Sequence, residues 1–456
     1  MKNTDIAELV NMLLIDMVRY QTREEKYTLN IYELYTLIGD IYFKKIKYDK
    51  AIEAYQKAIE INPNSDKIYN SMGHIYRNKK EYIKALKMYK KAVKINPIND
   101  IAYRNIGLVY VKKEEYHKGI KLYQKAIAVN PKDELAFFLM SESYFKIGNL
   151  LLKEEEYIHA LKAYKETVGI NPSNDKAYIQ IGNIYFYGKE LDNAINVYKK
   201  VIELNSTNTE AYNNMGVVYT EKKEYDKAIE MYHKSININP NNDAVYHNMG
   251  DIYSEKKEYL KSILMYKKAI EINPNNAEHF FYLGHTYTQK EEYTKALRFY
   301  QETVKANPNH SNAYTTMGYI YFAQEEYGKA IEMYSRSIIT NTTNDSVFIK
   351  LFELKLTQNQ LFEQKIENTY IKQFQNQKKI FIQYEMLKIF QDIANGKKPK
   401  IEKWKQKYHG VKLTWSFNEL NWWIDKYKEE EIKNKLRKAI DFFEKRKSLK
   451  LKKNTL

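Results

Sequence analysis

Residues 66–99, DKIYNSMGHIYRNKKEYIKALKMYKKAVKINPIN, contain the pattern that decides the fold. Apolar or small residues recur at i, i+3, i+4 and i+7 from Tyr69 to Tyr76, which is one stripe of an α-helix. A second stripe runs over Tyr82–Ala92, and Pro97 ends it, because proline has no amide hydrogen and its ring clashes with the preceding turn. The stretch therefore predicts two short α-helices joined by a turn.

The same 34-residue pattern occurs nine times between Tyr32 and Asn344. Position 8 is glycine in every repeat, position 20 is small in every repeat, and position 32 is proline in seven of them. Small residues at positions 8 and 20 indicate that the two helices approach closely there. The position 8 glycines are Gly39, Gly73, Gly107, Gly148, Gly182, Gly216, Gly250, Gly284 and Gly318.

This combination resembles the tetratricopeptide repeats, in which antiparallel helix pairs of this length stack in tandem. The resemblance covers residues 32–344 and implies an all-α, right-handed superhelical solenoid. A single repeat cannot bury its apolar face alone, so stability is expected to come from contacts between neighbouring repeats.

Two irregularities interrupt the array. Seven extra residues, 134–140, precede the fourth repeat, and because seven residues are nearly two helical turns, they predict a lengthened first helix. Its apolar side chains either pack under the neighbouring repeat or form a spur for a partner. After Asn344, Phe352 stands at the glycine position, where a benzyl group does not fit the close contact, so the array is expected to stop.

The chain is therefore predicted to have three parts: a capping helix over residues 1–31, the nine repeats over 32–344, and a helical C-terminal domain over 345–456. The last part contains all four tryptophans and 26 basic against 14 acidic residues, so most of the net charge of +17 belongs to it. Ser416 and Glu419 have the spacing of a capping box. Nothing in this segment resembles a known family.

Composition excludes several classes of protein. The chain has no cysteine, which removes disulfides, thiolate catalysis and cysteine-ligated metals. No convincing signal peptide, no run of the roughly 18 apolar residues that a membrane span needs, and no phosphate-binding or hydrolase motif is present. The sequence thus predicts a soluble, cytoplasmic protein that is not an enzyme and has no cofactor and no metal site.

In the family, positions 2, 5, 6, 9, 12 and 13 of each repeat face a concave groove that holds an extended peptide or a partner helix. The resemblance therefore implies a groove that is basic in repeats two to five and acidic in repeats six to eight. The candidate groove residues are Lys67, Arg77, Arg104, Asn105, Lys146, Asn149, Lys176, Asn183, Phe186, Asn214, Asn248, Asp251, Tyr282 and Tyr319.

Two alternatives stay open for these residues and for the tail. The asparagines and aromatics are also compatible with generic repeat packing, and the lysine-rich tail is compatible with an acidic surface or with nucleic acid, whose phosphates lysine neutralises. The family's clamp for a C-terminal carboxylate is not expected, because Glu142 would repel that carboxylate. The sequence favours a protein-interaction scaffold, with a nucleic-acid-associated factor anchored by the tail as the alternative.

Overall fold

The computed structural model describes residues 31–358, 360–397, 399, 401–408, 424–425 and 430–448. Within these residues every regular element is an α-helix, and the helices follow one another as tandem pairs, which confirms the predicted fold class. The capping helix predicted for residues 1–31 lies outside the described residues except for Ile31, where the first helix begins.

The odd-numbered helices from α1 to α17 are the first helices of the nine repeats. They are Ile31–Lys44 (α1), Asp66–Asn78 (α3), Asp100–Lys112 (α5), Glu134–Lys153 (α7), Asp175–Tyr187 (α9), Thr209–Glu221 (α11), Asp243–Glu255 (α13), Ala277–Gln289 (α15) and Ser311–Ala323 (α17).

The even-numbered helices from α2 to α18 are the second helices of the same repeats. They are Tyr48–Ile61 (α2), Tyr82–Ile95 (α4), Tyr116–Val129 (α6), Tyr157–Ile170 (α8), Leu191–Leu204 (α10), Tyr225–Ile238 (α12), Tyr259–Ile272 (α14), Tyr293–Ala306 (α16) and Tyr327–Thr340 (α18).

In the described part of the tail, five longer helices follow the repeats. They are Asp345–Thr357 (α19), Gln364–Phe374 (α20), Lys378–Ala394 (α21), Ile401–Lys407 (α22) and Glu430–Ser448 (α23).

Packing divides the chain into two compact units on either side of the link between Glu224 and Tyr225. The N-terminal unit contains α1 to α11, and the C-terminal unit contains α12 to α23. The boundary between repeats and tail at residue 344 stays a prediction from the sequence.

Within a repeat, the position 8 glycine of the first helix lies against the position 24 tyrosine of the second. A Cβ atom built on Gly73 would lie 2.5 Å from Cε1 of Tyr89, and one on Gly250 would lie 2.7 Å from Cε1 of Tyr266. Both tyrosines are almost completely buried. Position 8 therefore requires glycine because the partner ring occupies the space of any side chain.

The turn between the two helices contains a left-handed residue at position 15 in all nine repeats, and none of these residues is glycine. In the second repeat Lys80 has φ of 61°, and the backbone N–H of Glu81 donates to the carbonyl of Tyr76 over 2.8 Å. This bond closes the helix end as in a Schellman motif, which satisfies an otherwise unpaired carbonyl. The left-handed residues are Ile46, Lys80, Glu114, Glu155, Lys189, Lys223, Lys257, Glu291 and Glu325.

The link from one repeat to the next is fixed by polar side chains around the proline. The Oδ1 atom of Asn96 accepts from the backbone N–H of Ile98 over 3.2 Å, and Oδ1 of Asn99 accepts from the N–H of Ala102 over 2.8 Å. The second bond is an N-cap, which satisfies one of the free N–H groups at the start of a helix. Proline and cap together end one helix and start the next within a few residues.

The seven-residue insertion lies in α7, which has 20 residues where α5 has 13. Most of its apolar side chains pack against the preceding repeat: Met140 is 8% exposed, and Phe137 and Leu139 pack against the same cluster. Leu135 and Phe138 are the two apolar side chains of the insertion that are half exposed. Of the two interpretations of the insertion, packing under the neighbouring repeat accounts for most of these side chains.

Phe352 explains how the regular packing changes after α18. Its ring is fully buried and contacts Phe362 at 4.6 Å, Tyr384 at 5.4 Å and Tyr370 at 5.6 Å between ring centroids. The close glycine–tyrosine contact is thus replaced by an aromatic core shared by α19, α20 and α21.

The glycine–tyrosine contact makes a direct prediction about stability. We expect Gly73→Ala to lower the free energy of unfolding by about 1–3 kcal/mol, because the new methyl group overlaps the buried ring of Tyr89. The control is Gly169→Ala in α8, where no atom lies within 4 Å of the new Cβ. Alanine there should be neutral or stabilise by up to about 1 kcal/mol through helix propensity. Urea denaturation followed by circular dichroism measures both, and equal effects of the two changes would contradict this packing.

Candidate functional site

The candidate site is the first-helix face, which we define as the side chains at positions 2, 5, 6, 9, 12 and 13 of each first helix. In the N-terminal unit the exposed lysines of this face include Lys67, Lys146 and Lys176. Their helices α3, α7 and α9 belong to different repeats, so the positive charge is spread along the unit.

Asn105 is the centre of a hydrogen-bonded cluster between α3 and α5. Its side chain is 3% exposed, and its Nδ2 lies 3.0 Å from Oδ1 of Asn70 and 2.8 Å from Nε2 of His74. Its Oδ1 accepts from Nη1 of Arg77 over 3.1 Å. The amide of Asn105 is therefore occupied by neighbours, and it orients the half-buried guanidinium of Arg77 on the face.

Arg104 is held by an ion pair rather than presented freely. Its guanidinium contacts the carboxylate of Asp133, and both side chains are largely buried. Asp133 also caps α7 by accepting from the backbone N–H of Ala136 over 3.0 Å. One carboxylate thus joins the third repeat to the start of the lengthened helix.

Asn183 and Asn214 form a contact between two successive repeats. Nδ2 of Asn214 donates to Oδ1 of Asn183 over 3.1 Å, and the same oxygen accepts from the hydroxyl of Tyr198 over 2.6 Å. Asn149 accepts in the same way from the hydroxyl of Tyr164 over 2.7 Å. Asn149 and Asn183 thus accept hydrogen bonds from buried position 24 tyrosines. All three asparagines are half-buried, so part of each side chain stays at the first-helix face.

In the C-terminal unit, the face contains a cluster of histidines and acids. Nδ1 of His247 lies 3.0 Å from Nδ1 of His279, and Nε2 of His279 lies 3.0 Å from Oδ2 of Asp243. Asp251 accepts from the hydroxyl of Tyr266, and burial raises the pKa of its carboxyl to about 6.

The exposed aromatic rings of this unit are supported by other rings. Tyr282 is 37% exposed, and its ring contacts His247 edge-on at 5.0 Å and stacks on Tyr266 at 6.2 Å. Tyr319 is 42% exposed and contacts Tyr334 at 5.5 Å. The ring contacts limit the motion of both tyrosines, so each presents a fixed apolar surface.

The two remaining candidate residues, Phe186 and Asn248, are both half-buried. Phe186 in the N-terminal unit is half-buried and contacts the ring of Tyr187 at 5.6 Å. Asn248 in the C-terminal unit is half-buried at position 6 of α13. The binding role of all fourteen candidate residues stays a prediction.

Sequence reasoning missed the role of the tyrosine hydroxyls. The signal was present: an asparagine or aspartate at position 9 stands 15 residues before the position 24 tyrosine in the first, fourth, fifth and seventh repeats. It was also not foreseen that His279 is buried, at 2% exposed, between His247 and Asp243. Histidines of two different repeats come together there, which spacing along the chain does not reveal.

In the tail, the described aromatic side chains belong to a core. Trp404 is 3% exposed and contacts Phe443 at 4.8 Å and Tyr408 at 5.4 Å. Trp415, Trp422 and Trp423 lie outside the described residues, as does the predicted capping box at Ser416. Leu436 and Ile440 of α23 are buried, as their helical spacing predicts.

Two kinds of feature are absent from the described residues. No group of three or more histidine, aspartate or glutamate side chains in the described ranges has an arrangement suited to a metal ion. No helix in the same part of the chain combines the length and the apolar character that crossing a membrane requires.

Comparison with known families now defines the class: helix-pair repeat proteins whose repeats each present one face of the first helix. Models described as TPR repeat or tetratricopeptide repeat match residues 39–79, 73–114, 102–133, 141–174, 182–222 and 209–242. The chain is a tetratricopeptide-repeat protein. Arrays of this family are protein-interaction scaffolds, and in that general sense so is this chain. Residues 255–337 match the model of anaphase-promoting complex, cyclosome, subunit 3.

Three solved structures with a similar fold cover different shares of this chain. Yeast Tom70 is 14% identical, with 92% of this chain and 96% of that chain covered and a TM-score of 0.39. Pseudomonas aeruginosa pilF is 20% identical, with 47% and 96% covered and a TM-score of 0.39. YrrB, described as a TPR protein with an unusual peptide-binding site, is 28% identical, with 42% and 96% covered and a TM-score of 0.31. A comparison with curated proteins found no significant match.

His74 gives this face a pH dependence. Burial, reinforced by the charges of Arg77 and Arg104, lowers the pKa of His74 from 6.5 to about 4. The unfolded chain therefore binds this proton more readily, so the stability contributed by neutral His74 is present above pH 6.5 and is lost as the pH falls towards 4. Between pH 7 and pH 4.5 we expect the wild type to lose about 2 kcal/mol more than His74→Gln, measured by urea denaturation. The exposed His117→Gln is the control, and parallel losses in wild type and His74→Gln would refute the assignment.

The tyrosine hydroxyls give a second prediction. Tyr164→Phe removes a buried hydrogen bond to Asn149 and should cost about 0.5–1.5 kcal/mol. Tyr89→Phe should be neutral or stabilising, because the hydroxyl of Tyr89 is buried without a partner among the described residues. Thermal or urea unfolding of the two variants is the measurement, and a larger loss for Tyr89→Phe would show that its hydroxyl is satisfied in solution.

Proposed function

We propose that this chain is a non-enzymatic scaffold that binds an extended peptide or a helix of a protein partner on its first-helix face. The observation that carries the proposal is the link between successive repeats on that face, where Asn214 donates to Asn183 over 3.1 Å while Asn183 holds the hydroxyl of Tyr198. Such amides are positioned before a partner arrives, which lowers the entropic cost of binding.

The chemistry of the face suits a polypeptide. Asparagine amides both donate and accept, as the backbone of an extended peptide requires. Tyr282 and Tyr319 are partly exposed rings held by neighbouring rings, and anchored aromatics of this kind tend to dominate binding energy.

Charge adds selectivity within each unit. The N-terminal unit offers the exposed Lys67, Lys146 and Lys176, so an acidic partner segment is favoured there. The C-terminal unit offers the exposed Glu255 at position 13 of α13 and Glu278 at position 2 of α15, so a basic segment is favoured there. Complementary charge mainly speeds association and fixes register.

The alternative of a nucleic-acid-associated factor gains no support from the described part of the tail. Trp404 is buried against Phe443 and is not available to stack on a base. The cytoplasmic location stays a prediction from the sequence.

The test is an affinity capture with the full chain, identified by mass spectrometry. Lys67, Lys146 and Lys176 are changed together to glutamate, and the control variant changes Lys87, Lys121 and Lys199, which are exposed on second helices. We expect at least one protein to be captured by the wild type and by the control variant but lost by the face variant. Equal capture by all three, or capture of nothing by the wild type, would contradict the proposal.

A further inference from the structure

The hydroxyl of the position 24 tyrosine points to the first-helix face. In four repeats it donates to the position 9 side chain of that face, and in the eighth repeat it pairs with position 12. The pairs are Tyr55 with Asp40 at 2.6 Å, Tyr164 with Asn149 at 2.7 Å, Tyr198 with Asn183 at 2.6 Å, Tyr266 with Asp251, and Tyr300 with Thr288 at 3.0 Å.

The second and third repeats break this rule. Position 9 is His74 in one and Leu108 in the other, and Nε2 of His74 already bonds Asn105 while leucine has no acceptor. The hydroxyls of Tyr89 and Tyr123 are therefore buried, each side chain being 0% exposed, and neither has a partner among the described residues. Two successive repeats thus each bury a tyrosine hydroxyl that has no partner among the described residues, which is rare in folded proteins.

The positive charge of Arg77 acts on both hydroxyls. Burial raises the pKa of Tyr89 and of Tyr123, and the charge of Arg77 opposes the rise at each of them. Arg77 is half-buried, so its guanidinium is open to an incoming group, and its described hydrogen bond goes to Asn105 over 3.1 Å.

The groups gathered here are mostly donors. Besides Arg77 and the two hydroxyls, Asn70 uses its oxygen to accept from Asn105, which leaves its Nδ2 to donate. The nearby carboxylate of Asp133 is buried and paired with Arg104. A ligand that satisfies these groups must supply acceptor oxygens and a negative charge, and a carboxylate does both.

We infer that Arg77, Tyr89 and Tyr123, supported by Asn70 and Asn105, bind the side-chain carboxylate of an aspartate or glutamate in the partner segment. We call these five residues the Arg77 site. The inference rests on the proposed function and adds the chemistry of the partner at one place on the face. The Arg77 site differs from the family's clamp for a C-terminal carboxylate, which Glu142 disfavours.

The test selects peptides from a random 12-residue phage-displayed library on the immobilised full chain. The selected peptides are sequenced, resynthesised, and measured by fluorescence anisotropy against the wild type, Arg77→Gln and the double variant Tyr89→Phe with Tyr123→Phe. Tyr157→Phe is the matched control, since Tyr157 is exposed at the start of the second helix α8 and lies outside the first-helix face. The phenylalanine variants keep the buried rings, so they test the site even where Arg77→Gln perturbs the fold.

We expect an aspartate or glutamate at one fixed peptide position, with affinity reduced roughly 10-fold to 100-fold by Arg77→Gln and about threefold to tenfold by the double variant. Changing that acid to its amide should weaken binding to the wild type but not to Arg77→Gln, and Tyr157→Phe should bind as the wild type does. Peptides selected without any acid preference, or an acid whose contribution survives both site variants, would overturn the inference alone. Failure to select any peptide would overturn the proposed function and the inference with it.

Discussion

The structure depends on the contact between the position 8 glycine and the position 24 tyrosine, which is described in eight of the nine repeats. Because the ring of Tyr89 fills the space beside Gly73, the two helices of a pair can approach only without a side chain at that point. The buried ring then packs between helices and supplies apolar area that a short helix pair otherwise lacks. A repeat array gains stability by adding such local interfaces.

The same tyrosine connects the core to the candidate binding face. Its ring is in the core, while its hydroxyl reaches position 9 of the first helix, as Tyr198 reaches Asn183. Core packing therefore positions the polar side chains of the face. In the third repeat position 9 is Leu108, which offers no acceptor, and the hydroxyl of Tyr123 has no partner among the described residues. The position 24 tyrosine thus contributes both to the fold and to the proposed difference in binding between repeats.

Much of the fold could be predicted because the determining contacts recur at fixed spacing. Glycine, proline and the tyrosine positions predicted the helix pairs, and the ring of Phe352, at the position where the repeats have glycine, packs against Tyr370 instead. The left-handed turn residues could not be predicted, since Lys80 and its equivalents carry no glycine signal. The site was harder, because the environment of Asn105 depends on side chains of another repeat, and its burial is invisible in one helix.

We propose that the partner binds on the first-helix face and that the buried tyrosines position the polar side chains of this face. The most direct measurement is the crystal structure of the full chain bound to a library-selected peptide. The account predicts a peptide lying across α3 and α5 with a carboxylate oxygen within hydrogen-bond distance of Arg77. A peptide bound along the second helices, with Arg77 still bonded to Asn105 and no ligand near it, would contradict the claim.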